Sequence, residues 1–490
     1  MRFTRSVAVV VSAVLLSSGC SADRPKDSTS ASPSARGPGS VDLGTAYSAY
    51  RAGLSRPVRD PIYPDRGTDA LDVLHYGLDL NWSVAKGTLT GKATLAIRPT
   101  RDAGSMDLDF KPYRLGAVTV DGVPVKATVV KEKLKVSAPV RADRPVTLVV
   151  AYTGKPSQTP MPSVRGDAHP LGLTVDPTGG VWTMQEPYGA FTWYPVNDHP
   201  SDEALYDMAI TAPPGWTAVA SGTPAGHSGN TFRYHSGDPV ASYATTLAVG
   251  KYRQTTMTGP RGIPIHLSYL ASEKEYLPLL KQVPDYLSWM EKHFGPYPFP
   301  SAGLVTVDSL SAMETQQTVT LGRFHLERGP EAYEATTFHE FAHQWLGDAV
   351  TLTDWRDMWL NEGWALYAQT LFTRDAHRQT KAEQIRNNRK QDARYRKMYG
   401  PPGHPVASEF GSTNVYTCAA GMLRQLHQAL GDKRFFALAT GWVQDHRDTN
   451  QTRASFIAYV NTSTGHDFTA LIDTWLDSPT TPPETGPLAD

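Results

Sequence analysis

The feature that most constrains this chain is His339-Glu340-Phe341-Ala342-His343, followed nineteen residues beyond His343 by Glu362 in the run Leu360-Asn361-Glu362-Gly363. Residues four apart share one face of an α-helix, so two imidazoles spaced this way can reach one ion. Phe338, Phe341, Ala342, Trp345 and Leu346 give the same segment enough apolar surface to be buried, as a rigid metal site requires. Two His and one Glu leave the fourth position of a tetrahedral zinc open, which is the pattern of a catalytic ion and not of a closed structural one. Glu340 stands beside these ligands, where its carboxylate can take a proton from water as general base. An amphipathic helix with two unremarkable His is the plainer alternative, and it leaves Glu362 at the start of a second helix unexplained. The expectation is one zinc ion per chain, held by His339, His343 and Glu362.

A site of this kind needs packed surroundings, and the chain can supply them. Its 490 residues are 40% hydrophobic and 19% charged, enough for two or three domains with real cores. A formal net charge of −1 gives no footprint for a nucleic-acid partner. From about Asp69 to Tyr252 short alternating runs dominate, such as Leu89 to Ile97, Val118 to Val120 leading into Asp121-Gly122, and Val146 to Val150. Asp-Gly between β-branched residues is a hairpin signal, and the series predicts an all-β domain. After about Thr255 helical spacing takes over: Glu273 to Phe294, Glu331 to Leu346, Asp357 to Thr373, Asn414 to Leu430 ending at Gly431, and one or two helices between Thr452 and Leu476. The fold class expected is multidomain α+β. A β domain spans 61–254, a catalytic domain 255–445, and a short helical segment with a frayed tail 446–490.

The N-terminus reads separately. Arg2 and Arg5 precede an apolar stretch, Val7 to Leu16, that is too short to span a membrane, and Leu16-Ser17-Ser18-Gly19-Cys20 follows. This resembles a bacterial lipoprotein signal in which Cys20 becomes the lipidated mature N-terminus; plain secretion is the alternative. Residues 1–20 would be the signal and the Pro/Ser/Gly-rich stretch that follows a tether, drawn over 21–60. With Cys20 lipidated, Cys418 has no partner, so the fold relies on packing and not on disulfides. The protein is expected outside the cell membrane, anchored by lipid alone.

The run from Phe338 to Leu371 resembles the aminopeptidase N family of zinc gluzincins, which includes leukotriene A4 hydrolase. The likeness extends from about Asp72 to Trp475. It implies a saddle-shaped β domain followed by a thermolysin-like catalytic domain, without the large helical C-terminal domain of many members. It also implies further site residues. Tyr416, fifteen residues before Gly431, stands where the family has the Tyr that stabilises the tetrahedral intermediate, although Thr417, Cys418 and Ala419 replace the usual Glu-Lys-Gly. Ser311-Ala312-Met313-Glu314-Thr315 matches the Gly-x-Met-Glu-Asn motif, with Glu314 in the place of the carboxylate that binds the substrate α-amine. Glu186, nine residues before Pro195, matches a second amine-binding position.

Taken with the zinc ligands, these residues point to an aminopeptidase acting on peptides with free N-termini. A thermolysin-type endopeptidase shares the same ligands. An epoxide hydrolase and a surface lipoprotein with a purely structural zinc are the remaining alternatives.

Overall fold

The computed structural model describes residues 41–484 and 486, apart from 112, 167–169 and 378–379. The expected signal, Cys20 and the first half of the expected tether lie outside the described residues. From Ser40 onward the chain forms one compact unit. Residues 41–60, included in the expected tether, are instead packed against the fold. Leu43 is buried with Leu74 and Ala96, and Thr45–Gly53 forms a short helix. The fully buried Asp60 accepts hydrogen bonds from the backbone N–H groups of Tyr63, at 2.8 Å, and Trp355, at 3.0 Å.

The first half is built from strands, as the alternating runs predict. An eight-stranded mixed sheet is centred on Leu71–Ser83, which pairs antiparallel with Thr88–Pro99 and parallel with Glu203–Thr211. Along Leu71–Ser83, Leu78, Leu80 and Trp82 are buried while Asp79 and Asn81 face water, the two-residue period of a half-buried strand. The Asp121-Gly122 hairpin forms where expected, with Val120 opposite Val123 and both turn residues at positive φ, 49° and 79°. A three-stranded and a four-stranded sheet complete this half.

The second half begins with a five-stranded mixed sheet running from Tyr252–Thr258 to Ala312–Met313, which the sequence reading did not resolve among the helices. Its strand Ala302–Val307 is buried throughout and shows no alternation. Helices follow at Val283–Phe294, Pro330–His343, Trp359–His377, Lys381–Tyr399, Thr413–His446, Arg453–Thr464 and Thr469–Asp477. The Lys381–Tyr399 helix was missed because it is strongly polar and carries almost no apolar stripe. Its start is nevertheless written locally, in the reciprocal Thr380–Glu383 cap, and its end in Gly400 at φ 76°. Gly431 breaks the Thr413–His446 helix at φ 72°, where the predicted helix ends, and a second helical stretch continues beyond it. Among the described residues no helix is long and apolar enough to cross a membrane.

Two large hydrophobic cores result. One is lined mainly by the β-rich half and the other by the helical half. The first also takes in Val305, Val307, Met313, Leu352, Trp355, Met358, Phe410 and Val415 from the later part of the chain.

Candidate metal centre and active site

The helix Pro330–His343 starts with Pro330 in its first turn and Glu331 beside it, both favourable at an N-terminus. Its last turn brings His339 and His343 to one face. The neighbouring helix Trp359–His377 supplies Glu362 from its first turn. Close approach of the backbone sets this geometry at two glycines. A Cβ on Gly347, which has φ 141°, would come within 3.0 Å of His343 Nδ1. A Cβ on Gly363, next to Glu362, would lie 2.6 Å from the Cβ of Ala419 on the Thr413–His446 helix.

The ligand atoms converge. Glu362 Oε2 lies 3.1 Å from His339 Nε2 and 3.3 Å from His343 Nε2, and the two Nε2 atoms are 3.1 Å apart. Ligands about 2.0–2.1 Å from a tetrahedral zinc are about 3.3–3.4 Å from one another, so three donors at these separations suit one face of that tetrahedron. The other ring nitrogens point away from the focus. His339 Nδ1 is 3.1 Å from Gln369 Oε1 and His343 Nδ1 is 3.1 Å from the Leu346 carbonyl. Both acceptors call for a proton on Nδ1, which leaves each Nε2 lone pair facing the ion position. The residues therefore fit zinc. Gln369 was not found by sequence reasoning; its signal, seven residues after Glu362 on the same helix, has meaning only once the partner imidazole is known.

Around this focus lies a cavity of about 620 Å³ whose walls include Glu186, Glu314, Glu340, Tyr416 and Arg165. Glu340 and Glu314 are both buried, and each brings a carboxylate oxygen within 4.8 Å of a His343 nitrogen and of the other. Burial pushes the Glu340 carboxyl well above its usual range and the charge of Glu314 adds to this, against the pull of His343. Burial likewise raises Glu314, with His343 opposing. Burial would raise Glu362 too, but hydrogen bonds to His339 and His343 outweigh it and hold that carboxyl below the usual range. A divalent cation at the ligands would favour the ionised form of each of these acids. Glu314 is 3% exposed, and its Oε1 has no hydrogen-bond partner among the described residues.

Gln344, the residue after His343, locks the Glu314 segment to the metal helix. Its Nε2 donates to the Glu314 carbonyl at 3.1 Å and to Asp348 Oδ2 at 2.7 Å, and its Oε1 accepts from the Gln317 N–H at 2.8 Å. Tyr416 stands in the first turn of the Thr413–His446 helix, its ring stacked on His339 with centroids 6.0 Å apart. Of the three residues that depart from the family motif, Thr417 lines the cavity, while Cys418 and Ala419 are fully buried and Cys418 is a free thiol. Glu186 reaches the cavity from the β-rich half, but as an ion pair, its Oε2 lying 3.3 Å from Arg165 Nη1. Every candidate residue within the described chain thus lines one cavity or its ligand focus.

The profile of the peptidase family M1 domain matches residues 279–475, which include the metal focus and Tyr416. Residues 279–475 thus carry a peptidase family M1 domain. The chain is 23% identical over 442 residues to aminopeptidase N of Streptomyces lividans, covering 83% of this chain and 50% of that protein. To aminopeptidase B of Rattus norvegicus it is 26% identical over 336 residues, covering 61% of this chain and 50% of the relative. The chain thus spans about half the length of these curated relatives. Among solved structures it is similar to an M1 zinc metallopeptidase mutant from Deinococcus radiodurans bound to a Tyr-Ser-Ala substrate. The identity is 26% and the TM-score 0.75, and the match covers 88% of this chain and 100% of that one.

Proposed function

We propose that this protein is a zinc aminopeptidase that removes single residues from the free N-termini of peptides. The observation that carries the reading is the buried Glu314 carboxylate, with one oxygen unpartnered among the described residues, beside the His339–His343–Glu362 focus. A buried acceptor without a donor is costly, and a substrate ammonium supplies the missing partner in a charge-assisted bond. Zinc, when bound, supplies Lewis acidity and lowers the pKa of water. Glu340 accepts the proton of the attacking water and returns it to the departing amine. The Tyr416 hydroxyl donates a hydrogen bond to the oxyanion that develops at the scissile carbonyl. Glu314 fixes the ammonium, so that only the first peptide bond reaches the metal focus.

The thermolysin-type endopeptidase alternative does not account for that unpartnered carboxylate, and the alternative of a structural zinc leaves Glu340 and the cavity without a role. The β-rich half reads as the family's saddle-shaped domain and the following half as thermolysin-like, with a short helical end. Arg2, Arg5, the apolar run to Leu16 and Cys20 support export and lipid anchoring at the outer face of the membrane.

The test compares peptides of one sequence with free and with N-acetylated termini, each with and without a zinc chelator. Chelator-sensitive cleavage of the free form, with the acetylated form at least tenfold slower, is expected. Equal cleavage of both would favour the endopeptidase.

A further inference from the structure

The two acids that the sequence assigns together to the substrate amine have different surroundings. Glu314 keeps a buried oxygen without a partner among the described residues. Glu186 already has a cation, the Arg165 guanidinium, at 3.3 Å. Arg165 Nη2 also lies 3.4 Å from Ser311 Oγ, in the segment that carries Glu314. The Arg165 side chain passes across Gly411, where a Cβ would come within 3.0 Å of its Cδ and Nη1. The strand of chain bearing it is tied to the segment before Tyr416: Ser163 Oγ donates to the Phe410 carbonyl at 2.8 Å, and the Val164 N–H to the Ser408 carbonyl at 3.2 Å. Arg165 is the only Lys or Arg among the described residues lining the cavity.

The location follows from the chemistry of the substrate. With its ammonium on Glu314 and its carbonyl at the metal focus, the Cα of the residue to be removed lies between them. Its side chain must be housed in the same cavity, whose lining includes Arg165, Glu186, Ser311 and Gly411. A guanidinium keeps its charge in any such setting and offers a planar fork that matches a carboxylate. Asp and Glu carry that carboxylate two and three bonds beyond Cα, whereas a Lys or Arg side chain would meet a like charge. We infer that Arg165 is a specificity-determining residue that selects an acidic side chain at the residue removed, with Glu186 holding the guanidinium in place. The inference rests on the aminopeptidase reading and names the substrate class of that same site.

The test uses the zinc-loaded full protein and fluorogenic amides of Glu, Gln, Leu and Arg. Glu and Gln are nearly isosteric, so the ratio of their kcat/KM values isolates the charge and does not depend on how much of a preparation is folded. In the parent this ratio is expected to exceed about ten, with the Arg amide poorest. Arg165→Gln should lower the Glu:Gln ratio at least tenfold, and Arg165→Lys should retain part of it. Inhibition of the parent by free L-glutamate should be stronger than by L-glutamine, which tests the same contact should the variants fail to fold. A parent that prefers Leu or Arg, a ratio unmoved by Arg165→Gln, or equal inhibition by the two amino acids would overturn the inference. If no amide is cleaved at all, it is the aminopeptidase reading that fails.

Discussion

His339 Nδ1 and Gln369 Oε1 stand 3.1 Å apart, so the outer nitrogen of a metal ligand is oriented by a neutral amide. An acceptor there fixes the tautomer that leaves Nε2 bare, and losing such a partner commonly costs about 10–100-fold in metal affinity. Gln369→Leu should therefore bind zinc at least tenfold more weakly in competition with a chromophoric chelator, while Gln369→Glu keeps the acceptor and does not. Parent-like affinity in Gln369→Leu would show that the ring is oriented by packing alone.

Glu340→Gln keeps the shape of the side chain and removes its ability to carry a proton. Turnover should fall about 10²–10⁴-fold, the usual contribution of a general base. Zinc content measured by atomic absorption should stay at one per chain. Turnover near that of the parent would exclude Glu340 as the base.

Glu314→Gln leaves a hydrogen-bond acceptor but no charge for the ammonium. A charged hydrogen bond is worth about 1.5–3 kcal/mol, so kcat/KM for free N-termini should drop about 10–150-fold. Hydrolysis of N-acetylated peptides should fall far less, narrowing the selectivity. A uniform loss on both would place Glu314 in a structural role.

At Gly363 two effects oppose each other. Ala is better than Gly inside a helix by about 1 kcal/mol, yet its Cβ would lie 2.6 Å from that of Ala419. Overpacking of this kind costs about 1–3 kcal/mol, and the clash should win. Gly363→Ala should lower the denaturation midpoint, and adding Ala419→Gly should recover part of the loss. A more stable Gly363→Ala would mean the two helices separate at little cost.

Glu203 is buried against Thr351, and burial raises its carboxyl to about 8, with Asp448 adding and the Thr351 hydroxyl opposing. Between pH about 4.5, where an unfolded Glu loses its proton, and pH about 8, the folded state binds the extra proton. Its contribution to stability therefore falls as pH rises through that window. Glu203→Gln removes the titration, so its stability relative to the parent should improve by a few kcal/mol between pH 5 and pH 8 in denaturant titrations. An unchanged gap would show that Glu203 ionises normally.

The metal focus was legible in the sequence because its chemistry is local. A helix turn sets the His339–His343 spacing, and the start of the next helix supplies Glu362. Tyr416 and Glu314 were legible through family resemblance, and both line the cavity. Arg165 was not, because it comes from an irregular segment of the β-rich half and gains meaning only where the fold brings it to Glu186 and Gly411. The Lys381–Tyr399 helix escaped for a different reason: its helical state is specified by its cap and length and not by an apolar stripe. In the five-stranded sheet, Ala302–Val307 and Val319–Gly322 are buried throughout and so lack the alternation that marks a strand in sequence.

The sharing of Trp355, Met358 and Phe410 with the core of the β-rich half has a practical consequence. The stretch matched by the family profile cannot be pared away as a minimal peptidase, because cutting at its start would strip those rings of their packing and remove Arg165 and Glu186 as well. The body from Ser40 onward should absorb heat in a single calorimetric peak, so whatever loosens the β-rich layer also disassembles the metal focus.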